Sequence, residues 1–372
     1  MSSIVLLVKN DLCLEGFKTP VNQIIFGNFN LYDRIERQLT SQGCQFNVVN
    51  TLPPNFQGIV FHSDTLYSEK AISYMLQNLN LETTLNHAIV FDETQPSFHS
   101  ESNDLPKIKQ NEIYAVKINL PEQVYFKKIS RVPFPDFFIQ SVKAWPDLIT
   151  VASLIAREKT IRAADRFKII GKPNLKSIFD NQMLAGKFNK IGKSCKIHKT
   201  AVLESCQIGD NVEIGPYSYI KSSVIGSGTV VHERSSIKLS VVGPGSFIMP
   251  CDIFNSFIGT TCSIFTSMIH NSFIGDSTFI GGASGFSDFN AGKTAIKIYA
   301  NNKSVSSGKQ FLGACVAENC FIGSGLIFQS GLMIPHDTSV INGSMIFKSD
   351  FTADKKYVAT GGRVTQIPKD FF

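Results

Sequence analysis

The feature that most constrains this chain is a ladder of β-branched residues that starts at Ile191 and steps by five or six. Its rungs are Ile191, Ile197, Val202, Ile208, Ile214, Ile220, Ile225, Val231, Ile237, Val242, Ile248, Ile253, Ile258, Ile264, Ile269, Ile274 and Ile280. Residues 191 to 280 hold only four other Ile or Val residues, Val212, Val224, Val230 and Val241. Chance does not sort β-branched side chains in this way. An internal repeat of this kind sets the architecture before any single residue is considered.

Every third rung opens Ile-Gly or Val-Gly, at 191, 208, 225, 242, 258 and 274. Three short strands therefore make one coil, and the stretch reads as a left-handed parallel β-helix of hexapeptide repeats. Each strand turns one branched side chain inward, stacked on its equivalent one coil away. Coils stack about 4.8 Å apart. The glycine after the rung is expected to serve the corner, where a positive φ is often needed. The ladder stops at Gly281 and resumes near Val316, with Ile322-Gly323, Ile327, Leu332, Val340 and Ile346 continuing it. Residues 282–315 are expected to form an extruded loop, and loops of that length are usually functional. The tail from Lys348 to Phe372 is expected to cap the coil stack.

The first 185 residues have a different rhythm. Apolar runs at Ile4–Val8, Phe46–Val49, Gly58–Phe61, Ala88–Phe91 and Ile113–Ile118 read as strands. Leu31, Ile35 and Leu39, and then Ala71, Ile72, Met75 and Leu76, have helical spacing. A further helix is expected from Phe137 to Arg157, interrupted at Trp145-Pro146, with Ala163 to Lys190 as connector. Strands alternating with helices argue for an α/β domain with a mainly parallel sheet. The expected division is an α/β domain over 1–185, the β-helix over 186–347 and a cap over 348–372.

Composition narrows the classes of function. A net charge of +6 over 372 residues is modest, and the longest basic stretch lies between Lys187 and Lys199. This suits attraction of phosphorylated or CoA-like anions and gives no case for a nucleic-acid partner. No apolar run is long enough to span a membrane. Eight cysteines occur without a Cys-x-x-Cys, so free thiols in a reducing cytoplasm are expected.

Three stretches carry a resemblance. They are Phe17-Lys18-Thr19-Pro20-Val21 with Gly27 and Arg34-Ile35-Glu36; Trp145-Pro146-Asp147-Leu148-Ile149; and His270-Asn271-Ser272-Phe273-Ile274-Gly275-Asp276-Ser277. With the order of domains, they make most of the chain resemble bacterial sugar nucleotidyltransferases similar to the bifunctional N-acetylglucosamine-1-phosphate uridylyltransferase/glucosamine-1-phosphate acetyltransferase. The resemblance implies a nucleotidyltransferase-like, Rossmann-type first domain and an acyltransferase second domain. It also implies acetyl-CoA or another acyl-CoA as co-substrate, and a sugar phosphate or nucleotide sugar as acceptor. A cytoplasmic homotrimer is also expected, because phenylalanine precedes the rung at Phe247, Phe257, Phe273, Phe279 and Phe321, alternation turns those rings outward, and exposed aromatic rows usually mark an interface.

The first domain departs from that pattern. A Gly-rich phosphate loop would follow the first strand, but Lys9-Asn10-Asp11-Leu12-Cys13-Leu14 stands there, and the family's arginines are missing near Thr19 and Ile25. The backbone nest and cations that offset phosphate charge are lost. Asp64 and Asp92 each follow an expected strand and would hold Mg²⁺ only if this domain is active. The domain reads as degenerate.

In the second domain the resemblance makes His270 the catalytic residue. Acyl transfer to an amine needs a base and donors for the oxyanion. An imidazole titrating near pH 6.5 suits the first role. The family places an Asn after a glycine turn, then lysines. Here Asp288 holds the expected position, or Asn290 if the alignment slips, followed by Lys293 and Lys297. These four are the candidate substrate-binding residues. A carboxylate in place of an amide would repel an oxyanion or a sugar phosphate. Ser307-Gly308-Lys309-Gln310-Phe311-Leu312-Gly313 matches the segment that re-enters the helix. His198 and His232 also follow rungs, but two or more coils separate the three histidines, too far to share a metal ion. No metal site is expected. Three readings stay open: acyltransferase, diverged nucleotidyltransferase, or a trimeric scaffold for binding or regulation.

Overall fold

The computed structural model describes residues 5–9, 11–51, 53, 59–78, 87–90, 112–119, 123–131, 139–142, 144–167, 189–266, 268–290, 292, 294–300, 303–341, 345–346, 350–361 and 363–370. The chain divides into two compact units. One comprises residues 1–12, 20–24 and 29–143, and the other 13–19, 25–28 and 144–372.

The first unit is α/β. Strands Asn47–Val49, Val5–Val8 and Ile59–His62 form a parallel sheet with Val5–Val8 in the centre. Helix α1, Leu31–Ser41, buries Leu31, Ile35 and Leu39, the four-residue spacing of one helical face. Asn30 caps it, its Oδ1 accepting from the Asp33 N–H at 2.7 Å. Helix α2 spans Glu69–Asn78, and Ile72 joins Val5, Leu7, Ile35, Leu39, Ile59 and Phe61 in one core. Strands His87–Val90, Glu112–Asn119 and Gln123–Arg131 make a separate antiparallel sheet.

The second unit holds the repeat, a left-handed parallel β-helix of about nine turns over residues 190–358. Its three sides are continuous parallel sheets. The glycine side runs from Lys190–Ile191 through Gln207–Ile208 to Met333–Ile334. The aromatic side runs from Lys196–Ile197 through Phe247–Ile248 to Ser339–Ile341, and ends in the hairpin of Lys356–Thr360 and Arg363–Ile367. The histidine side runs from Val202–Glu204 through Met268–His270 to Met345–Ile346. Rungs from Ile208 to Val340 are fully or nearly fully buried and form one column of core.

Several expectations change at this level. Val202 faces out at 38% exposure, and Leu203, in register with Ile220, is the inward residue. Beyond the loop the rungs are Val316, Ile322, Phe328, Ile334 and Val340, a strict step of six, while Ile327 points outward. Phe286 is also a rung, stacked on Phe328 at 5.2 Å. The loop therefore leaves after Phe286 and not at Gly282. Its base is closed by a bridge between Phe289 and Phe311 and by Leu312 N–H donating to Asp288 O at 2.9 Å. Within it, Lys297–Ala300 and Lys303–Ser306 form a hairpin, with Ile296 and Ile298 buried.

The rung-following glycine has another cause than the one expected. Positive φ falls elsewhere, at corner residues such as Ser194, Asn211, Asn255 and Asn271. A Cβ on Gly209 would sit 2.6 Å from the Ser227 nitrogen one coil on. Stacking of the coils, not backbone handedness, excludes a side chain there. Corner hydroxyls tie adjacent coils: Ser218 Oγ donates to His232 O at 2.9 Å, and Ser246 Oγ to Gly259 O at 2.8 Å.

Helix α3 runs Trp145–Phe167 without interruption and packs on the glycine side. Pro146 lies in its first turn, where a missing N–H costs nothing, so it starts the helix instead of breaking it. Residues 13–19 and 25–28 cover the same side. Phe257 and Phe273 stack at 4.6 Å; Phe26 packs on the first at 5.0 Å and Phe17 on the second at 5.3 Å. Glu318 accepts from the backbone N–H groups of Lys18 and Thr19, and Lys18 Nζ lies 3.5 Å from Asp337. The outward phenylalanines are thus of two kinds. Those of the glycine side are covered by their own chain, while Phe247, Phe265, Phe279 and Phe321 form a partly exposed row on the aromatic side, with centroid spacings of 4.8 to 5.8 Å.

Candidate functional site

His270 ends the strand Met268–His270, one residue past the inward Ile269, so its ring projects outward from the histidine side. Parallel register sets Phe254 beside it one coil earlier, with Asp252 two residues before Phe254 on the same face. Asp252 reaches diagonally across the coil gap. Its Oδ2 lies 3.0 Å from His270 Nε2, and its Oδ1 lies 3.3 Å from Lys238 Nζ. The Phe254 ring meets the imidazole at 5.9 Å, near perpendicular.

Burial pushes the Asp252 carboxyl up, but hydrogen bonds from Ser236 and His270 and the Lys238 ammonium outweigh it, and it sits below the usual carboxylate range. The group is ionised at neutral pH. An ionised carboxylate accepts and cannot donate, so the shared hydrogen belongs to Nε2. In the neutral imidazole, Nδ1 then carries the lone pair. This is the arrangement of a base held in one tautomer by a carboxylate.

The expected partners of His270 fall into place unequally. Asp288 is drawn close to its neighbour: Asn271 Nδ2 donates to Asp288 Oδ2 at 2.7 Å, and Asn255 Nδ2 to Asn271 Oδ1 at 2.7 Å. The carboxylate closes a ladder of corner amides. Asn290 forms a local turn, accepting from Gly292 N–H at 3.1 Å and donating to Thr294 Oγ1 at 3.0 Å. Lys297 is exposed on the loop hairpin. Lys293 lies outside the described residues, as does Asp92. Asp64 accepts from its neighbour Thr65 at 3.3 Å, and no group of three metal-ligating side chains occurs among the described residues.

His198 and His232 follow rungs of the aromatic side, a different face from His270. The first is 2.8 Å from Thr200 Oγ1, and the second rests edge-on against Phe247. Asp252 and Lys238 were missed in the sequence, where 18 residues separate the carboxylate from the histidine. That interval is one coil of 16 plus two residues of alternation, so writing the sequence coil by coil would have revealed the pair.

Lys309, on the returning limb of the loop, donates through Nζ to Pro146 O at 3.0 Å and Thr150 Oγ1 at 2.8 Å. Desolvation, only partly countered by Asp147, brings its ammonium down to about 8.

The model of the bacterial transferase hexapeptide family, six repeats long, matches residues 190–222 and 205–238. No curated protein matches the chain. Solved structures similar to it include UDP-N-acetylglucosamine acyltransferase from Campylobacter jejuni, 13% identical over 48% of this chain and 69% of that one, with a TM-score of 0.28. PerB from Caulobacter crescentus, solved with CoA and GDP-perosamine, is 14% identical over 50% and 66%, with a TM-score of 0.12. A hexapeptide-repeat acetyltransferase from Vibrio cholerae is 12% identical over 58% and 93%, with a TM-score of 0.17.

Proposed function

We propose that this chain is a CoA-dependent acyltransferase acting on the amine of an amino-sugar phosphate or nucleotide sugar, with His270 as general base. The observation that carries the reading is the 3.0 Å contact that fixes His270 Nε2 on Asp252 and leaves Nδ1 to take a proton. The acceptor amine attacks the thioester carbonyl, and a C–N bond forms. Nδ1 receives the amine proton, Asp252 offsets the imidazolium charge, and the C–S bond breaks. The departing thiolate takes the proton back, restoring neutral His270. Asp288 acts indirectly, by holding Asn271 beside the base.

The nucleotidyltransferase reading is weaker. The N–H groups of Lys18 and Thr19, in a stretch that would face phosphate, donate to the Glu318 carboxylate. That reading would also call for Mg²⁺, and of the two aspartates expected to hold it only Asp64 lies among the described residues. The assembly proposed is a cytoplasmic homotrimer, with the row of Phe247, Phe265, Phe279 and Phe321 at the subunit contact. No helix among the described residues is long and apolar enough to cross a membrane.

The test is release of free thiol from acyl-CoA with amino-sugar phosphates as acceptors. His270→Ala should lower the rate about 10²- to 10⁴-fold, the scale of a lost general base. His232→Ala should leave it nearly unchanged. A wild-type protein that binds no CoA thioester and acylates no amino sugar would leave the scaffold reading instead.

A further inference from the structure

We infer that Lys238 is a positioning residue for His270. It acts through Asp252, anchoring the carboxylate and offsetting part of its charge, so that the imidazole keeps the lone pair a base needs. The inference rests on the reading of His270 given above and gives a role to a residue which that reading leaves idle.

Register makes the arrangement. Lys221, Lys238, Phe254 and His270 occupy one outward column of the histidine side in four successive coils. Phe254 thus lies between Lys238 and His270 in their own column. Asp252, in the neighbouring column, goes round it. Its Oδ1 lies 3.3 Å from Lys238 Nζ and its Oδ2 3.0 Å from His270 Nε2, so one oxygen faces each partner.

Stacking also directs the lysine. Lys221 and Lys238 are one coil spacing apart, about 4.8 Å, and like charges directly opposite repel. Each turns to its own carboxylate, Lys221 back to Glu204 at 2.9 Å and Lys238 on to Asp252. Tyr219 Oη donates to the same Glu204 oxygen at 3.0 Å. Beyond His270, Asp288 is bonded to Asn271. Among the described residues, Glu204, Tyr219, Lys221, Lys238 and Asp288 are therefore the titratable groups that the histidine side sets around the Asp252–His270 pair.

The chemistry of the base asks for such a cation. A carboxylate in contact with an imidazole fixes its tautomer, but it also favours the charged ring, since an anion stabilises imidazolium. Imidazolium has no lone pair for an incoming amine proton. An ammonium on the other oxygen offsets that pull and leaves the orientation intact. Lys238, Asp252 and His270 are all partly exposed. Across the two contacts the ammonium and the ring are on the order of 8 Å apart, where Coulomb's law in a largely hydrated setting gives about half a pH unit.

The experiment is NMR titration of the His270 ring in full-length protein carrying ¹³C-histidine, with the resonance assigned by its loss in His270→Ala. Thiol release from acyl-CoA is followed against pH in parallel. Lys238→Met and Lys238→Gln should each move the midpoint of the ring upward by about half a pH unit, and Lys238→Arg should restore it. The acid limb of kcat/KM should move with the ring, so that activity lost at pH 6.5 returns above pH 8. A lysine that served only the fold would change the rate by one factor at every pH and leave the ring where it was. A midpoint that stays put in Lys238→Met and Lys238→Gln, or moves down, overturns the inference. A midpoint that moves up in a protein releasing no thiol would sustain the coupling through Asp252 and overturn the acyltransferase reading alone.

Discussion

Replacing Lys309 by methionine should make the protein no less stable at neutral pH and remove a pH dependence that the wild type shows. Lys309 holds its ammonium against Pro146 O and Thr150 Oγ1, in the first turn of α3. That is the positive end of a helix dipole, an unfavourable place for a cation. Its pKa falls from 10.5 to about 8, chiefly by desolvation. A shift of that size corresponds to about 3 kcal/mol, or about 2 once partial exposure of the stem is allowed for. The folded-state value is depressed, so between pH 8 and 10.5 the unfolded chain binds more protons than the folded one. Stability must then rise with pH across that window, and the cost is present in full below pH 8. Methionine keeps the length and apolar body of the side chain. Thr150 Oγ1 retains its own bond to Pro146 O, at 3.3 Å, so no polar group is stranded. The assay is urea unfolding of both proteins at half-unit steps from pH 6.5 to 10, read as the difference between them. The wild type should gain about 2 kcal/mol on Lys309→Met between pH 7.5 and 10. A flat difference would show that the ammonium keeps its water, and the reasoning would fail.

Three other outcomes follow from the packing. Phe286→Ala opens a cavity beneath Phe328 in a fully buried column and should cost about 3–5 kcal/mol by chemical denaturation. Gly209→Ala would place a methyl 2.6 Å from the Ser227 nitrogen of the next coil and force the two coils apart; it should destabilise by more than about 2 kcal/mol, whereas alanine at Gly285 should cost almost nothing. Phe279→Ser with Phe321→Ser removes the two closest rings of the aromatic side. Light scattering should then report a smaller species than the trimer proposed for the wild type, with circular dichroism unchanged.

Much of the fold was legible because the inward column is almost pure Ile and Val and its period is nearly fixed. The errors come from strands of two or three residues, which give alternation too few positions to vote on. Val202 and Leu203 are both apolar, as are Ile327 and Phe328. Choosing the β-branched member of each pair chose the outward one, and a slip of one residue reverses every face. The loop boundary failed for the same reason, since Phe286 is inward but not branched. At the proposed site, the sequence singles out His270 by its neighbours but not Asp252, because the contact between them exists only between coils. The sequence could not show that Asp288 also closes a ladder of asparagine amides, because those bonds too run between coils. The outward phenylalanines could not be sorted by sequence, because whether a ring on the surface is covered depends on what the rest of the chain lays over it.

The cover over Phe257 and Phe273 has a consequence for how the protein is made. Most coil-to-coil contacts join residues 16 to 18 apart and can form as each turn leaves the ribosome. Lys18 and Glu318 are 300 residues apart. At translation rates of about 5–20 residues per second, the N-terminal segment waits about 15–60 s for its carboxylate partner. Until synthesis reaches Phe273, Phe17 has no ring to rest on, and each new coil presents bare rings of its own. The nascent chain thus carries uncovered rings both at Phe17 and in its newest coil until synthesis passes Phe273, and that is the window in which a chaperone has something to hold.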